Sequence, residues 1–111
     1  MKLFYKQYGG TGEPIFILHG IFGMLDNWHN IARQLSEQFQ VYTIDARNHG
    51  QSPHSPEMSY TLMAEDVFEL AADLGFDTFN LMGHSMGGKT AMLCALMHPE
   101  RIKRLMVIDI A

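Results

Sequence analysis

Apolar residues along the chain fall into two alternating kinds of segment. Residues 2 to 8 mix aromatic and long side chains and run into the turn-forming stretch Gly9-Gly10-Thr11-Gly12-Glu13-Pro14, which predicts an edge strand followed by a loop. Ile15-Phe16-Ile17-Leu18 is an unbroken apolar run, the pattern of a strand covered on both faces, and it stops at His19-Gly20. A loop to about Asn27 follows. Trp28, Ile31, Ala32, Leu35 and Phe39 then keep helical spacing, and Val41-Tyr42-Thr43-Ile44 reads as another buried strand. The Gly, Pro, Asn and Ser content of residues 45 to 59 marks a loop. Leu62, Ala64, Val67, Phe68, Ala71 and Leu74 predict a helix closed by Gly75. Phe79 to Met82 is a short strand, Met86 to Met97 a helix stopped by His98-Pro99, and Leu105 to Ile110 a last strand.

Strands alternating with helices imply a mostly parallel sheet with helices on both faces, an α/β fold whose site lies beyond the carboxyl ends of the strands. The 111 residues make one domain, large enough to bury roughly two thirds of the unfolded surface. Its apolar share of 47% against 18% charged residues is that of a globular protein. A net charge of −4 with no Lys/Arg cluster excludes a phosphate-neutralising face, so no nucleic-acid partner is expected. No apolar run approaches the ~20 residues of a membrane span, nor does the charged N-terminus carry a signal-peptide pattern, so the expected address is cytoplasmic. A single cysteine, Cys94, fits a reducing compartment.

Gly83-His84-Ser85-Met86-Gly87 sits between a predicted strand and a predicted helix, the setting that a G-x-S-x-G nucleophile turn requires. Glycines at its ends give room for a sharp turn that projects the serine, and the following helix presents its N-terminal amides to an anion formed there. The same stretch, Gly83 to Thr90, also fits the phosphate-loop pattern ending in Gly88-Lys89-Thr90, and Leu105 to Asp109 fits a strand ending in a magnesium-binding aspartate. These two segments alone leave both chemistries open. His19-Gly20-Ile21-Phe22-Gly23 separates them, because a loop there completes an oxyanion hole and has no use in a phosphate site.

Four ordered motifs resemble the N-terminal part of the α/β-hydrolase superfamily, in particular bacterial acyl esterases of the YbfF type. They are His19 to Trp28, Asp45-Ala46-Arg47-Asn48-His49-Gly50-Gln51-Ser52, Gly83 to Lys89, and Val107 to Ala111. The resemblance implies Ser85 as nucleophile, the amides of Ile21 and Met86 as oxyanion donors, and Asp109 as the acid that orients a histidine. Phe22 and His84 are the candidate substrate contacts, although His84, like His19, reads from the residues alone as a packing or loop residue. The substrate would be a small-molecule acyl ester or thioester, and the phosphate-loop match a coincidence. No metal or cofactor is expected, since no His, Cys and carboxylate set has ligand spacing.

The family order Ser, then Asp or Glu, then His leaves the triad incomplete, because no histidine follows His98. His49 and His54 lie in a loop from which a base would break that order. The expectation is therefore a partial fold, lacking the later strands and the lid and inactive as 111 residues, with an exposed apolar edge from Leu105 to Ala111. A non-catalytic relic of the fold is the alternative. Cys94, the nine methionines and His98-Pro99-Glu100-Arg101 read as packing and capping, while Asp45 and Arg47 read as locks on the loop after their strand.

Overall fold

The computed structural model describes residues 1–20 and 28–108. Its strands are β1 (Tyr5–Tyr8), β2 (Glu13–Leu18), β3 (Phe39–Ile44), β4 (Phe79–His84) and β5 (Ile102–Ile108). They form one sheet in the order β1-β3-β2-β4-β5, in which β1 runs antiparallel to β3 and the other pairs are parallel. The helices are α1 (His29–Leu35), α2 (Tyr60–Leu74) and α3 (Met86–Met97), with a 3-10 turn at Pro99–Arg101.

Strand alternation sends neighbouring residues of each apolar run to different cores. Ile15, Ile17, Val41 and Met82 pack with Ala32 of α1, while Phe16, Leu18, Tyr42, Ile44, Phe79 and Leu81 pack with Ala64, Val67, Phe68, Ala71, Ala91 and Cys94 of α2 and α3. Phe16 and Ile17 are both 0% exposed, so the run has no solvent face at all. Each such side chain contributes about 1.5–3 kcal/mol of burial. Helices therefore cover both faces of a mostly parallel sheet, as the alternating pattern predicts.

The α2 boundaries follow from their end residues. Ser59 is extended and its hydroxyl accepts the Leu62 amide at 3.1 Å, an N-cap. Gly75 takes φ 83°, a left-handed conformation that lets its own amide and that of Phe76 reach the Ala72 and Ala71 carbonyls. α1 differs from its predicted extent: it ends at Leu35, and Phe39 opens β3 opposite Glu13. Phe39 keeps helical spacing from Leu35 because both face the same core, and pairing with β2 overrides that period. β1 is shorter than predicted, with Leu3 buried in the core and the Phe4 amide donating to Ser52 Oγ. β5 stands at the sheet edge with Leu105 and Met106 41% and 53% exposed, and the predicted continuation to Ile110 lies outside the described residues.

The chain steps from β2 outward to β3, then crosses back to place β4 on the other side of β2. The carboxyl ends of β2 and β4 are thus the point where the direction of winding reverses, the place where open α/β sheets form ligand crevices. Leu18 and Gly83 are register partners there, so His19-Gly20 and His84-Ser85 leave the sheet side by side. Among the described residues, no helix is long and apolar enough to cross a membrane.

Candidate active site

Ser85 joins β4 directly to α3 in a conformation of φ 53° and ψ −113°. A non-glycine residue in that sparsely populated region costs on the order of 1–3 kcal/mol, and such strain persists only where the surroundings enforce it. They do so through both neighbours. The Ser85 amide donates to the Ile108 carbonyl at 3.2 Å, and its own carbonyl accepts the Lys89 amide at 3.0 Å to open the helix. A side chain at Gly83 would enter the Gly87 carbonyl and stand 2.6 Å from the Gly88 nitrogen; one at Gly87 would strike the Leu18 and His19 carbonyls. The two glycines let strand, turn and helix close to this distance. Ser85 is left partly exposed, with buried Met86 at the first helical position, where an amide has no acceptor within its own helix.

The end of β2 lies against this turn. A Cβ on Gly20 would be 3.4 Å from the Cβ of Ser85 and 3.1 Å from His84 Nδ1. On its other side, the His84 ring meets the indole of Trp28 edge-on at 5.8 Å. His19, 1% exposed, accepts the Ala46 amide at Nε2 (3.0 Å), and its Nδ1 lies 2.7 Å from the Gly20 carbonyl. Burial holds the His19 imidazole below its ordinary pKa, only partly countered by the Gly20 carbonyl.

The turn after β3 is locked by its own side chains. Buried Asp45 accepts the Gln51 amide at 2.9 Å, and Ser52 Oγ donates to the Asp45 carbonyl while accepting the Phe4 amide. Arg47 reaches across to α2, where its Nε and Nη2 donate to the two carboxylate oxygens of Asp66 at 2.7 and 2.9 Å. Its Nη1 donates to the Glu57 carbonyl. That hydrogen-bonded pairing keeps the guanidinium charged, and with 6% exposure it is a structural clamp, the lock that its place after the strand predicts.

Ser85, Met86 and His84 are thus brought to one point with Gly20. Ile21, Phe22 and Asp109, the other sequence-derived site residues, lie outside the described residues. The sequence pattern did not reveal the partner of Arg47 on α2, the Trp28–His84 contact or the hydrogen bond from the Ala46 amide to His19, all of which join segments distant along the chain. Cys94 is buried in the core, and burial pushes its thiol up to about 12. Among the described residues no group of three His, Cys, Asp or Glu side chains is placed to hold a metal ion. The phosphate-loop pattern has no loop: helix α3 begins at Met86, Lys89 points to solvent, and the buried Thr90 hydroxyl donates to the Met86 carbonyl.

Known proteins are similar to this chain in sequence and fold. The chain is 48% identical over 115 residues to the sn-1-specific diacylglycerol lipase ABHD11 of Mus musculus, covering 100% of this chain and 38% of the relative. It is 42% identical over 101 residues to Esterase YbfF of Escherichia coli strain K12, covering 91% and 40%. A solved marine microorganism esterase superposes with a TM-score of 0.94 at 51% identity, over 96% of this chain and 41% of that one. The chain therefore spans about two fifths of the length of the relatives it matches. The profile of the alpha/beta hydrolase fold matches residues 13–110, and with the strained serine lying where the sheet reverses its winding, the chain belongs to the α/β-hydrolase family.

Proposed function

We propose that this segment carries the nucleophile elbow and the oxyanion donors of a serine esterase, acting on small-molecule acyl esters or thioesters. The observation that carries the reading is the forced conformation of Ser85 at the reversal point, with Gly20 of the neighbouring strand end against it. A strained serine aimed out of the sheet is useful only to a reaction that needs its oxygen exposed and fixed. Relatives named as esterases and as a diacylglycerol lipase support the ester class.

In this reading Ser85 Oγ attacks the acyl carbonyl while a histidine takes its proton, and the oxyanion rests on the Ile21 and Met86 amides. The histidine returns the proton to the departing alcohol or thiol, water then attacks the acyl-enzyme, and the acid leaves. Asp109 orients the imidazole and follows directly on Ile108, whose carbonyl holds the Ser85 amide. The family order sets the base after the acid, and no histidine follows His98 in these 111 residues, so hydrolysis belongs to the whole protein. His84 and Phe22 border the acyl group.

A fluorophosphonate applied to the whole protein should label Ser85, read by peptide mass spectrometry. Labelling that survives Ser85→Ala sinks the assignment. Turnover by the isolated 111 residues, abolished by Ser85→Ala, would overturn the dependence on a later histidine.

A further inference from the structure

Asn48 holds the loop between β3 and α2 from its centre. It stands at φ 65°, left-handed, where a non-glycine residue persists only if its surroundings fix it. Its backbone amide donates to the Pro53 carbonyl at 3.0 Å, and its side-chain Oδ1 accepts the Ser55 amide at 2.7 Å. With Oδ1 so committed, the other end of the side-chain amide faces Met58, and Nδ2 donates to Met58 Sδ at 3.4 Å. A thioether sulfur is a weak acceptor, so this is the weakest of the three bonds. Yet it closes the loop onto the residue next to Ser59, the cap of α2. Met58 is 43% exposed, whereas Met63, Met82 and Met86 are buried.

We propose that Met58 is a reversible oxidation site for hydroperoxides, and that its sulfoxide tightens the loop by giving Asn48 Nδ2 a stronger acceptor. A sulfur lone pair attacks one peroxide oxygen and the O–O bond breaks. Sulfur is oxidised from thioether to sulfoxide. Hydrogen peroxide is reduced to water, the departing oxygen taking the proton of the one transferred. Sulfoxide formation disrupts a packed core because it makes an apolar side chain polar. Met58 lies instead at the surface against an amide donor, and its unbranched, flexible chain has room to turn the new oxygen toward Nδ2. This inference does not depend on the assignment of Ser85.

The test treats the whole protein with hydrogen peroxide, locates sulfoxides by peptide mass spectrometry, and follows by NMR the hydrogen exchange of the Ser55 amide, whose acceptor is Asn48 Oδ1. Met58 should oxidise before Met63, Met82 and Met86. Ser55 exchange should then slow about fivefold, the factor that one net hydrogen bond adds to a local opening equilibrium. Methionine sulfoxide reductase should restore the parent rate. Met92 and Met106 are also exposed, so Met58→Leu separates their oxidation from that of Met58, and peroxide should leave its Ser55 exchange unchanged. Asn48→Asp keeps an acceptor for Ser55 but removes the donor to Met58, so oxidation should give no slowing there. Slowing that persists in either variant overturns the proposal. So does an oxidised Met58 with unchanged or faster Ser55 exchange, or oxidation of the buried methionines ahead of Met58. If Asn48→Asp does not fold, the parent and Met58→Leu decide the matter between them.

Discussion

Gly83 and Gly87 approach so closely that a methyl group on the first would enter the carbonyl of the second. The obstructing atoms are backbone at the start of α3, which cannot swing aside as a flexible side chain would. Gly83→Ala should therefore cost at least the ~3 kcal/mol upper range of overpacking, and Gly87→Ala the same against β2. Urea unfolding should show a lower midpoint at unchanged slope; a parent-like midpoint would mean that helix and strand separate freely.

The strain at Ser85 makes a prediction of opposite sign. Ser85→Gly relieves on the order of 1–3 kcal/mol of backbone strain and returns roughly 0.5–1 kcal/mol as glycine's unfolded-state entropy. The variant should be inactive yet about 1 kcal/mol more stable, read as a higher urea midpoint. A destabilised variant would refute stored strain at this turn.

Arg47 and Asp66 form a buried, two-pronged pair between the β3 turn and α2. Arg47→Met leaves the carboxylate buried, with the Met1 ammonium 3.4 Å away and no guanidinium fork to replace its partner. Losing one partner of such a pair costs about 3–5 kcal/mol. Removing both with Arg47→Met and Asp66→Leu should cost less than the two single changes added, and additive losses would show that the pair does not act as a unit.

Glu13 ties β2 to β5 by accepting from Lys103 at 2.6 Å and Arg104 at 2.7 Å, and from Asn80 of β4 between them. The Lys103 hydrogen bond, then those of Asn80 and Arg104, hold its carboxyl at about 2. A carboxylate lowered by folding stabilises above the ordinary range near 4.5 and loses that contribution as pH falls through about 2. The stability gap between the parent and Glu13→Gln should be largest at neutral pH and close across this window. A gap independent of pH would exclude charge as its source.

Much of this architecture is legible along the chain because its period is local. The α2 and α3 boundaries follow from Ser59, Gly75 and Pro99, residues whose own backbone chemistry starts or stops a helix. The end of α1 is not legible, because Leu35 and Phe39 share one core at a spacing that helix and strand both satisfy, and only pairing with Glu13 decides between them. For the site, Gly83-His84-Ser85-Met86-Gly87 announces itself by glycines that a sharp turn needs.

By itself the sequence determined an alternating α/β fold and a serine in a glycine-flanked turn, since both depend on residues adjacent along the chain. Tertiary structure alone decided that His19 is held at both nitrogens, that Arg47 is consumed by Asp66, and that Gly20 lies against Ser85. The reason is physical: hydrogen bonds and close contacts between separate strands depend on sheet order and register, and neither is written in the spacing of any one segment.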